Sequence, residues 1–135
     1  MKVKVIAILL LAMVGVGCSN DLDKDIKGNP GFVMQGDLAC TIAISTSKED
    51  VGKKVSLLAL QSTEPKALFE HQTHAGTSPM KVIFEDEDAL VIQLVASATG
   101  SIDTISLNKK TGVFVRAQIG SVAGNYATAQ KGNCK

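Results

Sequence analysis

Residues 102–119, IDTISLNKKTGVFVRAQI, contain two strand-like stretches joined by a short turn. Residues 102–107 alternate between apolar and smaller or polar side chains, which is the period of a strand with one buried face. Residues 113–119 form a second stretch of the same type. Between them, NKKTG at 108–112 is typical of a type I turn with glycine in the left-handed position. We therefore predict a tight β-hairpin here.

Similar stretches continue on both sides of this hairpin. The further predicted strands are residues 38–44, 54–60, 67–71, 80–84, 89–96 and 126–129, separated by turn residues. Residues 89–96 are the most hydrophobic and predict the central strand. Residues 57–68 are the nearest helix candidate, but Pro65 interrupts them. We predict an all-β domain over residues 37–135, a single small antiparallel meander of about eight short strands arranged as a sandwich or barrel.

The segment before this domain is polar and contains several helix- and strand-breaking residues. Residues 18–36 include five Asp and Lys side chains, Gly28 and Pro30, with few apolar side chains to bury. We predict a flexible N-terminal tether, with residues 32–34 (Phe-Val-Met) as its first contact with the β domain.

The first 17 residues have the features of a secretory signal. Residues 1–4 are basic, residues 5–14 are continuously apolar, and Gly15-Val16-Gly17 has the small-x-small pattern that precedes a cleavage site. The apolar run is shorter than the roughly 20 residues that a membrane-spanning helix needs. We therefore predict a signal peptide over residues 1–17, with cleavage before Cys18.

Cys18 directly behind this run resembles the lipobox of bacterial lipoproteins. The resemblance implies that Cys18 becomes the first mature residue and carries acyl chains such as palmitate, which anchor the protein to the membrane. Ser19, rather than Asp, resembles the sorting pattern for the outer membrane, so the implied location is the periplasmic face of that membrane. Gly15 departs from the Leu, Val or Ile that the lipobox favours three residues before the cysteine. An ordinary secreted protein is the alternative.

The cysteine count bears on that choice. The chain has 3 cysteines, and an odd thiol in an exported protein needs an explanation. Lipidation of Cys18 would leave Cys40 and Cys134 as an even pair in an oxidising compartment. We predict a disulfide between these two residues, which would join the first and last strands of the domain.

Charge and composition exclude several kinds of partner. The chain has 14 basic and 13 acidic residues, and loss of Lys2 and Lys4 with the signal would leave a net charge of −1. This balance indicates neither a nucleic-acid surface nor a polybasic membrane patch. The absence of Trp and the single Tyr126 argue against an aromatic platform for sugars or bases.

Two small groups of residues could carry metal chemistry. His71 and His74 are the only histidines, and they could form part of a metal site. Glu85, Asp86 and Asp88 belong to an acidic turn that could attract a divalent cation. The simpler interpretations are that the two histidines lie in a solvent-exposed loop and that the like charges of the acidic turn discourage pairing between exposed sheet edges. No Gly-x-Ser-x-Gly elbow or phosphate-binding glycine loop is present. We therefore expect no enzyme, no cofactor and no resident metal.

The C-terminal third resembles small uncharacterised lipoproteins and periplasmic proteins of Gram-negative bacteria. Residues 105–114, ISLNKKTGVF, and the ending KGNC at 131–134 carry this resemblance. The size, anchor, β-rich build and cysteine pair are also similar to lipid-anchored lysozyme inhibitors. Residues 121–126, SVAGNY, are one residue shorter than the inhibitory motif of that family and lack its basic residue.

These observations predict a lipid-anchored, non-enzymatic binding or structural module of the bacterial envelope. Its expected partners are the membrane, through the anchor, and an envelope protein. The alternatives are a metal-binding or hydrolytic protein that uses His71 and His74, or a lysozyme-inhibitor-like protein.

Overall fold

The computed structural model describes residue 22 and residues 24–70, 77–121 and 124–135. Over these residues the chain forms nine strands, all paired antiparallel, with short 3-10 turns between some of them. The strands are β1 (Leu38–Ser45), β2 (Lys54–Leu58), β3 (Lys66–Phe69), β4 (Ser78–Pro79), β5 (Lys81–Glu85), β6 (Ala89–Ala96), β7 (Ser101–Asn108), β8 (Val113–Gly120) and β9 (Tyr126–Cys134). The predicted all-β class and meander are confirmed.

The nine strands form one sheet in the order β4-β3-β2-β1-β9-β8-β7-β6-β5. β9 returns to pair with β1, so the first and last long strands are neighbours. The two edges, β4 and β5, are consecutive in the chain and are separated only by Met80. Met80 is 1% exposed and donates its backbone N–H to the carbonyl of Pro65. One bent segment therefore supplies both edges, and the sheet is a nearly closed barrel.

The alternating pattern places one face of each long strand inside the barrel. In β1, for example, Leu38, Cys40 and Ile42 are buried and the residues between them are exposed. The interior is filled by side chains from most of the strands, among them Val55, Leu57, Phe69, Leu90, Ile92, Ile105, Leu107 and Phe114. Each fully buried aliphatic or phenyl side chain contributes about 1.5–3 kcal/mol through the hydrophobic effect. The barrel has a packed core.

The predicted β7–β8 hairpin is present with the expected turn. The side-chain Oδ1 of Asn108 accepts hydrogen bonds from the backbone N–H groups of Lys110 and Thr111, both at 2.9 Å. Gly112 has φ +70° and donates its N–H to the Asn108 carbonyl. The left-handed backbone favours glycine because other residues would be strained there.

Part of the segment predicted as a tether packs on the barrel. The N–H of Asn29 donates to the carbonyl of Thr111 at 2.8 Å, and the ring of Phe32 is 8% exposed against Gly112. Met34 also packs against the core. Further upstream, the carbonyl of Lys24 accepts a hydrogen bond from Lys131 Nζ at 3.0 Å. The first contacts of this segment therefore come before Phe32.

The most hydrophobic strand, β6, is not central in the sheet. It lies next to the edge strand β5 and pairs with β7 on its other side. Its inward residues Leu90 and Ile92 are each 1% exposed, but its outward residue Val95 is 60% exposed. The prediction was wrong because the apolar outward face of β6 is uncovered in the barrel, rather than packed beneath a second layer.

Candidate functional site

The barrel interior contains one group of polar side chains among its aliphatic ones. Asp103, Arg116 and Gln130 come from the adjacent strands β7, β8 and β9, and they are 6%, 2% and 2% exposed. Each lies two residues from a buried apolar or small neighbour on its own strand, so the strand period points it into the barrel. Buried charges require paired partners, and the three side chains provide them for one another.

The guanidinium of Arg116 is held on several sides. Its Nε donates to both carboxylate oxygens of Asp103 at 2.9 and 3.1 Å, and its Nη2 donates to Oδ2 at 2.5 Å. Its Nη1 donates to Gln130 Oε1 at 3.1 Å. The Phe69 ring lies against the same group, 3.7 Å from Arg116 Cζ to the ring centroid. The planar guanidinium is therefore fixed both by bidentate hydrogen bonds to the Asp103 carboxylate and by a cation–π contact with Phe69.

This network continues from the interior to the surface. Gln130 Nε2 donates to Asp50 Oδ2 at 2.8 Å, and Lys53 Nζ pairs with Asp50 Oδ1 at 2.9 Å. Asp50 ends the short 3-10 turn Lys48–Asp50 between β1 and β2. The side-chain amide of Gln130 thus links the Arg116–Asp103 ion pair to the Lys53–Asp50 ion pair. The arrangement ties three strands to the β1–β2 connection, and it presents no nucleophile beside a base.

The polar network could have been inferred from the sequence only from the alternation of inward and outward residues along each strand. Asp103 is in step with Ile105 and Leu107, and Arg116 is in step with Phe114. A charged residue in the inward row of a strand is a signal of a buried pair. Asp103, Arg116 and Gln130 are therefore functional-site candidates beyond those predicted from the sequence.

The disulfide joins β1 to β9 at the point where the sheet returns on itself. Cys40 and Cys134 are direct register partners, with Cα atoms 3.9 Å apart. Beside them, Ala39 and Lys135 exchange backbone hydrogen bonds at 3.2 and 2.9 Å. Both cysteines are buried, at 1% and 0% exposed. Cys18, the predicted lipidation site, lies outside the described residues.

The acidic turn between β5 and β6 is organised by hydrogen bonds within the protein. Asp86 Oδ1 accepts from the N–H groups of Asp88 and Ala89 at 2.8 and 2.7 Å. These backbone bonds, helped by the charges of two nearby lysines, lower the pKa of Asp86 below its usual value of 3.8. Glu85 pairs with Lys109 at 2.9 Å, and Asp88 pairs with Lys110. The carboxylates therefore connect this turn to the β7–β8 hairpin.

The remaining sequence candidates are the two histidines and the lysozyme-inhibitor-like stretch. His71 and His74 both lie outside the described residues. Among the residues that the structure does describe, no group of three or more His, Cys, Asp or Glu side chains could hold a metal ion. Tyr126, from the lysozyme-inhibitor-like stretch, begins β9 and its ring packs on Gly120. Residues 122 and 123 of that stretch lie outside the description.

A groove opens where the two sheet edges meet. Its volume is about 400 Å³, and it is lined by the inward-facing Met80 and Leu94 and by the outward-facing Ile83 and Val95. Glu64 and Lys81 also contribute to its lining. The groove is mainly aliphatic, and it is separate from the Arg116 network.

Comparison with known proteins identifies no relative for this chain. No protein-family model, no curated protein and no solved structure matches it. In the part of the chain that the structure describes, no helix has the length and apolarity needed to cross a membrane.

Proposed function

We propose that the protein is a lipid-anchored component of the bacterial envelope, whose barrel serves as a non-enzymatic binding or structural module. The Cys40–Cys134 disulfide carries the proposal. Structural disulfides are typical of exported proteins, and this one leaves Cys18 as the odd cysteine behind an apolar run. Acylation at Cys18 accounts for both the odd cysteine and its position.

The barrel interior supports a binding or structural role rather than a catalytic one. Side chains fill the interior, and its polar members are bonded to one another through Arg116. The proposed contact with an envelope protein would therefore use the outside of the barrel.

Metabolic labelling tests the anchor directly. The full chain is expressed with a labelled fatty acid, alongside the variants Cys18→Ala and, as a matched control, Ser19→Ala. We expect label in the wild type and in Ser19→Ala, and none in Cys18→Ala, which should remain uncleaved or become soluble. Equal labelling of Cys18→Ala and wild type would contradict the proposal. An affinity pull-down from solubilised envelopes then tests for a protein partner.

A further inference from the structure

Three neighbouring strands present an outward surface without charged side chains. We call the outward side chains of β6, β7 and β8 the outer apolar face. They are Ala89, Val91, Gln93, Val95, Ile102, Thr104, Ser106, Asn108, Val113, Val115, Ala117 and Ile119. Val95, Val115 and Ile119 are 60%, 44% and 51% exposed. By contrast, β2, β3 and β5 each place a lysine outward, at Lys54, Lys66 and Lys81.

The strand register makes one row of aliphatic side chains on this face continuous. Val95 is opposite Ile102, Ile102 is opposite Ile119, and Ile119 is opposite Ala127 on β9. Directly opposed residues of antiparallel strands lie on the same side of the sheet with Cβ atoms about 5 Å apart. The row therefore crosses four strands without a gap. A contiguous exposed apolar patch on a protein of this size marks a contact surface.

The N-terminal segment meets the barrel at the border of this face. The Lys24 carbonyl accepts from Lys131 Nζ at 3.0 Å, and Lys131 is opposite Val115 in the register. Cys18 is six residues before Lys24. At roughly 3.3–3.6 Å per extended residue, these six residues span at most about 20 Å. An eight-residue strand such as β8 is about 26 Å long, so an acyl group on Cys18 stays within one strand length of the face.

This short reach changes what the anchor can do. A free tether from Cys18 to Gly36 could extend about 60 Å and hold the barrel away from the bilayer. Contacts at Lys24, Asn29 and Phe32 instead leave only residues 19–23 between the cysteine and the barrel. The anchor would therefore bring the barrel to the lipid surface.

We propose that the outer apolar face rests on the lipid bilayer that holds the Cys18 acyl chains. This inference rests on the proposed lipid anchor. The face has aliphatic side chains together with the uncharged polar groups of Gln93, Thr104 and Ser106, which suit the boundary between headgroups and acyl chains. It lacks the lysine and arginine cluster that anionic lipids attract, so the matching surface is a zwitterionic phospholipid. Because the anchor keeps the barrel close, a weak contact suffices.

Fluorescence quenching by lipid tests which side of the barrel meets the bilayer. The full-length lipidated protein is made with Ile119→Cys or, as matched control, Leu68→Cys, and the new thiol is labelled with a fluorophore. Leu68 is an outward, 36% exposed residue of β3, which lies on the opposite side of the barrel from β8. Both proteins are reconstituted into phosphatidylcholine vesicles, with or without nitroxide-labelled acyl chains.

We expect nitroxide lipids to quench a label at position 119 several-fold more than a label at position 68. Equal quenching at both positions in vesicle-bound protein would overturn the bilayer contact and leave the anchor intact. A second contradicting result is a label at position 119 that escapes quenching while its fluorescence changes with the density of protein on the vesicles. That result would identify a second copy of the chain as the occupant of the face, and it would also overturn the bilayer contact. Failure of the unlabelled protein to float with vesicles would instead reject the anchor itself.

Discussion

The two halves of the barrel interior are held together by different kinds of interaction. We call the half around Cys40–Cys134, Leu107 and Phe114 the disulfide half, and the half around Asp103 and Arg116 the arginine half. The disulfide half combines a covalent bond between β1 and β9 with apolar packing, including Phe32 at its end. The arginine half links β7, β8 and β9 through charged hydrogen bonds at 2.5–3.1 Å.

This difference determines how each half responds to change. Apolar packing is non-directional, so loss of one side chain removes its own contribution and leaves the others in place. A buried ion pair depends on every partner, because removing one leaves a charge uncompensated. We therefore expect graded losses in the disulfide half and strongly coupled losses in the arginine half.

Removal of the disulfide should have the largest effect. The bond closes a loop with a sequence separation of 94. In the chain-entropy model a loop of about 100 residues contributes about 4–5 kcal/mol to the free energy of unfolding. Urea unfolding with and without reductant measures this loss, and the double variant Cys40→Ala/Cys134→Ala should match the reduced protein. A loss below about 1 kcal/mol would show that strand pairing alone holds β1 against β9.

Single substitutions in the buried ion pair should follow closely. We expect Asp103→Leu or Arg116→Met to lower the free energy of unfolding by about 3–5 kcal/mol, because each leaves its partner charged and buried. The double variant should lose much less than the sum of the two. Urea unfolding of the wild type, the two single variants and the double variant gives the coupling free energy between Asp103 and Arg116. The outward substitution Ser106→Ala on β7 serves as control. Additive losses would contradict the coupled network.

The contact of Phe32 with the barrel predicts a smaller, graded loss. Phe32 is 8% exposed at the end of the disulfide half, whereas its neighbour Val33 is 63% exposed. We expect Phe32→Ala to cost about 3 kcal/mol, and Val33→Ala less than about 0.5 kcal/mol, in thermal unfolding. Equal effects of the two substitutions would show that this segment behaves as a free tether.

The exposed turn near the end of the disulfide half should give the smallest effect. The pKa of Asp86 is lowered from 3.8, chiefly by the backbone N–H groups of Asp88 and Ala89. A lowered folded-state pKa means that its stabilisation is present above 3.8 and is lost as pH falls through the folded value. An NMR titration of the Asp86 carboxyl should show a midpoint below 3.8, and Asp86→Ala should abolish this part of the acid dependence. A midpoint at or above 3.8 would contradict the hydrogen bonds.

Most of the fold could be predicted because strand pairing here is local along the chain. The alternation in β1 and β7 and the β7–β8 turn are properties of adjacent residues, and the predicted strands match them closely. β4 was missed because it is only two residues long and contains Pro79, which lies on a sheet edge. β9 extends to Cys134 through Lys131, Gly132 and Asn133, residues without strong strand preference, because β8 and β1 pair with it on both sides.

The candidate sites were predictable to different extents. With Cys18 assigned to the predicted lipidation, Cys40 and Cys134 remained as an even pair, an inference from count and compartment that needs no geometry. The Arg116 network was not predicted, because its members are 13 or 14 residues apart in sequence and meet only across neighbouring strands. The lipidation of Cys18 and the chemistry of His71 and His74 stay predictions.

The sequence by itself determined the strand period, the hairpin turn and the cysteine parity, because each follows from side chains that are near one another or from a simple count. Only the tertiary structure decided that the sheet closes at Met80, that Asp103 meets Arg116, and that residues 24–36 lie against the barrel. It also decided that β6 leaves an apolar face outward. These outcomes depend on how a twisted sheet curls and which strands become neighbours, and local sequence preferences do not contain that information.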